Sequence, residues 1–433
     1  MAQTRRRADA ARNDDLLLDA ALELLREKGP DRIAALDLAR LAKLTTGAVY
    51  ARYENNEEIL VGLWQHRISG PMRAFFEASL PAISPGPNRA EAQAIIAKTI
   101  SNPQGPLRPG IALLIASSRI PELQEIIVPE VQGWLRDMGI SEDRSDVQSL
   151  QKLGIIGFVL GCLYFAAADM FDFADWESVK PLAHYILANP SIEGLSEIES
   201  RQPGKVVVQT DNETRDALVA GAARVIARGG IERATTQRIS RASGLPPSAL
   251  FTEYRTRQVL FNDVAEKLLR AIYRHSRAEE GQGLVDPQPK QSNSIPTDYD
   301  DPRLVAHRHQ VAHTAASHQQ ALIAPEGLEQ RRIRLEFHLA AITDPDIHKA
   351  LANADAAATQ FTADQMHAAF GIPSEFAEPL MRMSRLFMQG NMLLEEISHF
   401  LHGRDMRYLY KPLGEAISLR VINADLSLPA RRD

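Results

Sequence analysis

The 433-residue chain has one cysteine, Cys162, and few aromatic side chains, 6% of the total. A lone thiol makes no intramolecular disulfide, and without a second Cys there is no thiolate metal site, so a reducing, cytoplasmic setting is expected. Basic side chains are not in excess. Forty-nine Lys and Arg against 55 Asp and Glu give a formal charge of −6, which taken whole argues against a nucleic-acid partner. Long hydrophobic runs are also missing. The longest uncharged stretch, Leu153 to Ala168, lies between Lys152 and Asp169 and falls short of the ~20 residues that span a bilayer, so it is read as a buried helix and no membrane partner is expected. The basic start, Arg5-Arg6-Arg7, leads into Ala8-Asp9-Ala10-Ala11 with no apolar segment behind it and is not read as a secretory signal. There is no Gly-rich phosphate loop, nucleophile elbow or HExxH, so no enzyme, cofactor or metal is expected.

What is present is a repeat. Asp15 to Leu60 aligns without a gap onto Asp216 to Phe261, at a constant offset of 201 residues. Identical pairs include Ala21/Ala222, Gly29/Gly230, Arg32/Arg233, Arg40/Arg241, Leu44/Leu245, Ala48/Ala249 and Tyr53/Tyr254. Tyr50/Phe251 and Val49/Leu250 are conservative replacements.

Each copy has the pattern of three short helices. Leu16, Leu17, Ala20, Ala21, Leu24 and Leu25 form one apolar face that stops at Gly29-Pro30, a glycine C-cap followed by a breaker. A second helix carries Leu36, Leu38, Ala39 and Leu41, and a third starts near Thr45, a good N-cap residue. The join between them, Lys43-Leu44, is short enough to force a large crossing angle, which is the helix-turn-helix arrangement. In copy 2 the join is Gly244-Leu245 and Pro246-Pro247 opens the third helix. A longer helix follows each triplet, started by Asn55-Asn56-Glu57-Glu58, with capping-box spacing, and by Thr256-Arg257-Gln258-Val259. The expected fold is all-α. Its division is residues 1–60, 61–190, a linker at 191–213, 214–262 and 263–426, with 281–303 polar, Pro-rich and expected to be disordered.

The stretch Gly230 to Arg257 resembles the DNA-binding segment of TetR-family regulators. The shared features are a glycine ending helix 1, a Thr-rich start to helix 2, a small-residue/Gly turn, a recognition helix with an aromatic, and a basic residue opening helix 4. Gly29 to Asn56 fits the same frame, and the whole is similar to single-chain, tandem double-TetR regulators. The resemblance implies a short recognition helix in the major groove of a double-stranded DNA operator and a helical ligand-binding and dimerisation domain after each head. In the family, two helices of that domain pair into a four-helix bundle, so an intramolecular pseudo-dimer is implied, with a further homodimer left open. The implied function is a ligand-released repressor with half-sites about one turn, ~34–36 Å, apart. The effector is unidentified, with apolar molecules suggested by analogy of fold.

Carried over position by position, the DNA contacts implied in copy 2 are Thr236, Gln237, Pro247, Ser248, Phe251, Thr252 and Tyr254, with Arg257 for a phosphate. In copy 1 they are Thr45, Thr46, Gly47, Tyr50, Ala51, Arg52 and Tyr53. Gln237 suits adenine, which it can pair with bidentately. Copy 1 departs from the pattern: Ala35 and Leu36 stand where copy 2 has Thr236 and Gln237, Asn56 is uncharged, and Lys43 replaces the turn glycine. Arg52 and the Arg5-Arg6-Arg7 arm are candidates to compensate. Tyr53 and Tyr254 also fit a core role.

Split along the repeat, the acidic total changes meaning. Residues 215–277 carry twelve basic and five acidic side chains, +7, residues 1–70 carry eleven of each, and the remainder holds −13. Copy 2 is therefore expected to dominate phosphate attraction. Two non-equivalent heads imply an asymmetric or imperfectly palindromic operator. The alternatives are that only copy 2 reads sequence, or that the chain is a ligand-binding or protein-interaction scaffold that has lost DNA binding.

Elsewhere, His309 and His313 at i, i+4, with His307 and His318 nearby, read as an unligated cluster because no carboxylate completes a metal set. Met381, Met383, Met388 and Met392 read as packing within the bundle or between the halves. The glycine-spaced run from Leu153 reads as a close helix interface, with Cys162 a small buried hydrophobe.

Overall fold

The computed structural model describes residues 2–102, 104–187, 212–256, 259–269, 295–371 and 374–422. Every regular element among them is helical. In the first half α1 is Ala2–Lys28, α2 Ala35–Leu41, α3 Thr46–Tyr50 and α4 Asn56–Leu63. A π turn, Trp64–Ile68, carries α4 into α5, Ser69–Ile83, followed by α6 Arg89–Ile100, α7 Leu107–Ala116, α8 Pro121–Asp137, α9 Val147–Ala167 and α10 Phe173–Leu187. The second half runs α11 Glu213–Gly229, α12 Thr236–Ser243, α13 Pro247–Glu253 and α14 at 259–269. Then come α15 Pro302–Gln310, a π turn Val311–Ala315, α16 Ala316–Ile323, α17 Leu328–Ala341, α18 Pro345–Phe370, α19 Ser374–Ser398 and α20 Arg407–Ile422.

The local signals act where the residues put them. Gly29 and Gly230 end the first helix of each copy at φ 78° and 81°, where a Cβ is disfavoured. Thr45 Oγ1 caps α3 by accepting from the Ala48 N–H, and Thr235 does the same for α12 from Arg238. Asn55 accepts from the Glu58 N–H while Glu58 Oε2 accepts from the Glu54 N–H, a capping box shifted by one residue. Leu17, Ala20, Ala21, Leu24 and Leu25 are buried with Leu38, Ala39 and Val49, but Leu16 turns outward. Leu36 and Leu41, expected among the apolar residues of α2, are exposed at 59% and 39%: a seven-residue helix buries one face, and Leu38-Ala39 occupy it.

The two halves share one interior. α9 packs along α19, α10 and α20 close around them, and α7 and α8 of the first half also meet α17 and α19 of the second. The approach depends on glycine. A Cβ on Gly161 would run into the Leu386 carbonyl oxygen, and one on Gly390 into the Gly157 carbonyl oxygen. Gln132 reaches the Ser398 carbonyl at 2.9 Å, and buried Arg404 reaches the Asp146 carbonyl at 3.1 Å, both across the halves. Cys162, Met383, Met388 and Met392 are buried. At 21 residues α9 is long and apolar enough to cross a bilayer, longer than the uncharged run suggested because 147–152 join it; 83% of its apolar window is buried inside the protein.

Two regions expected to be irregular fall only partly within the described residues. The linker falls mostly on 188–211, outside the described residues, although α11 already starts at Glu213, with Asn212 as its cap. The segment 281–303, expected to be disordered, is described from 295 and is ordered there. Asp301 caps α15, and the Arg308 guanidinium lies 3.8 Å from the Tyr299 ring centroid.

Candidate nucleic-acid interface

Copy 2 presents a short recognition helix with one side free. Pro247, Ser248 and Thr252 are exposed on α13 and Phe251 is 63% exposed, whereas Leu250 between them is buried. Gln237 is exposed at the start of α12 and Thr236 is half-buried beside it. Copy 1 repeats the geometry with other chemistry: Thr45, Thr46, Gly47 and Ala51 are exposed, and Tyr50 is 62% exposed in the place of Phe251. Leu36 is exposed where copy 2 offers Gln237, so the same point of the face is greasy in one head and hydrogen-bonding in the other.

Three assigned residues turn away from this face. Tyr254 is 2% exposed and its hydroxyl donates to Asp263 Oδ2 at 2.5 Å; burial, and then the Asp263 carboxylate, push its phenol pKa up, so it stays a donor locked in the head. In this structure it packs within the head rather than on the exposed face. Tyr53 is half-buried against the backbone of Gly62. Arg52 Nε donates to Asp14 on α1, and a second nitrogen reaches the Ala48 carbonyl at 3.3 Å. Arg257 lies outside the described residues, as do the side chains of the Arg5-Arg6-Arg7 arm.

The cations that sequence reasoning missed lie close by. Arg238, Arg241 and Arg255 are exposed around α12 and α13. Neither Arg241 nor Arg255 makes an ion pair among the described residues. The matching places in copy 1 hold Asp37, Arg40 and Glu54. Lys28 donates to Asp37 at 2.6 Å and holds its carboxyl below the ordinary carboxylate range, so Asp37 remains charged in the first turn of α2. A residue-by-residue charge comparison at the 201-residue offset would have found this reversal.

The heads touch. Arg32, in the 3₁₀ turn Pro30–Arg32 after α1, bonds Glu232 of copy 2 at 2.5 Å, and its counterpart Arg233 reaches Glu57 of copy 1 at 3.4 Å. Beneath them Arg119, in the turn between α7 and α8, grips Asp31 with two nitrogens at 2.8 and 2.5 Å and Glu336 of α17 with Nε at 2.6 Å. Glu336 also accepts from the Ile231 backbone.

Away from the heads, a groove of about 640 Å³ lies beside the start of α10 and includes Arg108, Asp169, Phe173, Asp175 and, from the other half, Arg382. His309 and His313 stack with ring centroids 4.2 Å apart, and no group of three or more His, Cys, Asp or Glu side chains that could hold a metal is found among the described residues.

Two helix-turn-helix modules with exposed recognition helices on one helical body define a DNA-binding regulator by class. The family model for bacterial regulatory proteins of the tetR family matches the chain twice, over residues 17–63 and 218–264, so the chain carries two DNA-binding segments of that family in tandem. Among curated proteins no match is found.

Proposed function

We propose that the chain is a sequence-specific transcriptional repressor that reads an asymmetric or imperfectly palindromic operator with two non-equivalent heads and is released by a small-molecule effector. The observation that carries this reading is the pair of recognition faces, counterparts at the 201-residue offset, with different chemistry. Phe251 is flanked by Gln237, Ser248, Thr252, Arg241 and Arg255, whereas Tyr50 is flanked by Leu36, Gly47, Ala51, Arg40 and Glu54. Copy 2 pairs hydrogen-bonding side chains with phosphate-binding ones; copy 1 offers apolar contacts suited to thymine methyls and weaker phosphate attraction. Heads at 1–60 and 214–262 on helical domains 61–190 and 263–426 belong to the same reading, as does a cytoplasmic location.

Effector control is supported by the groove that Arg108, Asp169, Phe173 and Arg382 share. Its mix of charged and aromatic lining favours an amphipathic effector over a purely apolar one. A ligand there would contact both halves and shift their relative population of arrangements.

Selection of bound duplexes from random DNA tests the function. Two dissimilar half-sites about one turn apart are expected. Failure to enrich any sequence would instead support the scaffold reading.

A further inference from the structure

We infer that Arg119 is a positioning residue that sets the distance and mutual orientation of the two heads, and hence the half-site spacing the chain accepts. The inference rests on the heads being DNA readers. Its basis is the location of one buried ion cluster. Arg119, Asp31 and Glu336 side chains are 2%, 11% and 3% exposed. Asp31 belongs to the turn that follows α1 in copy 1, while Glu336 accepts from Ile231 in the turn that follows α11 in copy 2. Those two turns are counterparts at the 201-residue offset. A single guanidinium therefore holds head 1 through its carboxylate directly, and head 2 through Glu336.

The space around it is closely filled. A Cβ on Gly230 would stand 2.6 Å from Arg119 Nε and 2.8 Å from Glu336 Oε2, so the backbone of head 2 is seated on the cluster itself. Arg suits this place because its planar fork offers Asp31 two parallel bonds and still leaves Nε for Glu336; a Lys ammonium has neither the reach nor the shape. Buried ion groups contribute little net stability, since desolvation offsets their attraction, and their best-attested use is to specify one arrangement over others. The outer pairs Arg32 with Glu232 and Arg233 with Glu57 also cross between heads, but with one partner about half exposed in each they hold weakly. The buried cluster is the part that fixes the geometry.

Replacing Arg119 alone would leave two carboxylates facing each other in the interior. The informative variant is therefore the neutral triple, Asp31→Asn, Arg119→Met and Glu336→Gln, used once its melting temperature and helix content match wild type; Arg119→Lys with both carboxylates intact is the second variant. Wild-type protein is first used to select a duplex, and the spacing between half-sites is then changed by one or two base pairs. Each base pair moves one half-site by about 3.4 Å and rotates it by about a tenth of a turn. Wild type should lose tenfold or more in affinity at one base pair from its optimum, whereas both variants should vary by less than threefold across the series and bind an isolated half-site like wild type. A purely structural role would lower affinity evenly and leave the spacing profile sharp; that result overturns the inference.

A second readout needs no DNA. Spin labels at Ala51→Cys and Thr252→Cys, exposed counterparts at the C-terminal ends of the two recognition helices, should give a narrow distance distribution in the otherwise wild-type chain and a broad or displaced one in the variants. Equal distributions overturn the inference. If wild type binds no duplex, the DNA reading fails while the label distances still decide the role of Arg119.

Discussion

Lys43 and Gly244 stand at the same point of the two helix-turn-helix motifs and both hold a positive φ, 56° and 74°. The turns bond alike: Leu44 N–H donates to the Ala39 carbonyl at 2.9 Å, and Leu245 N–H to the Ser240 carbonyl at 3.2 Å. Copy 1 therefore keeps the turn while carrying a side chain that disfavours it.

Lys43→Gly should stabilise the chain by about 0.5–1 kcal/mol, the left-handed strain removed less the extra freedom of glycine in the unfolded state. Gly244→Ala should cost about 1 kcal/mol or more. Urea midpoints at unchanged slope measure both. A destabilised Lys43→Gly chain would mean that the lysine side chain holds the turn through an interaction worth more than the strain.

The α9 and α19 interface yields a sharper contrast. Gly161→Val or Gly390→Val would drive a side chain into a carbonyl of the other helix, which must separate the halves locally; a loss of about 3 kcal/mol or more is expected. Gly133 on α8 has open space where a methyl would stand, with nothing within 4 Å, so Gly133→Ala should instead gain up to about 1 kcal/mol from helix propensity. Comparable effects at Gly161 and Gly133 would contradict the close approach.

Much of this was legible in the sequence, and the exceptions have physical causes. Caps at Thr45 and Asn55 and the stops at Gly29 and Gly230 are local, so residue type at one position decides them. The glycine run around Gly157 announced a close helix interface because only the absence of side chains permits one. Leu36 and Leu41 misled because apolar type alone does not say which face of a seven-residue helix is buried. Tyr254 and Arg52 were harder still: both are polar residues in a DNA-binding frame, and their partners, Asp263 and Asp14, act from other helices. The Arg119 cluster was invisible, since it unites residues up to 305 positions apart that share no pattern.

On the proposed interface, Gln237→Ala should relax base preference at one operator position by about 1–3 kcal/mol and leave the salt dependence intact. Arg241→Ala or Arg255→Ala should weaken binding to all sequences and reduce the log–log salt slope by about 0.9 for each phosphate no longer neutralised. Leu36→Gln tests the head asymmetry: it should add a hydrogen-bonding preference at the copy 1 half-site only. Binding titrations at several salt concentrations separate these outcomes, and an unchanged slope in both arginine variants would remove them from the interface.

Stability should fall on acidification, and the sign follows from buried groups. Burial lowers His307 to about 4 and His338, whose ring stacks on Tyr164, to about 3. Between about pH 6.5 and 4.5 the unfolded chain protonates both while the folded chain protonates neither, so their contribution is complete above about 6.5 and declines as pH falls toward the folded values. Glu395 works in the opposite direction. Burial raises it to about 6, so the folded state takes up its proton first, and the stability it adds is complete below about 4.5 and lost as pH rises through 6. Two protons against one leave a net loss of stability from these three groups as pH falls from about 6 to 4.5. His307→Phe keeps a ring against Phe370 and removes one of the two histidine protons, so the variant's acid slope should shrink by about one proton. Urea unfolding at pH 7, 6, 5 and 4.5 checks this; identical slopes in wild type and His307→Phe would mean that His307 is not buried neutral.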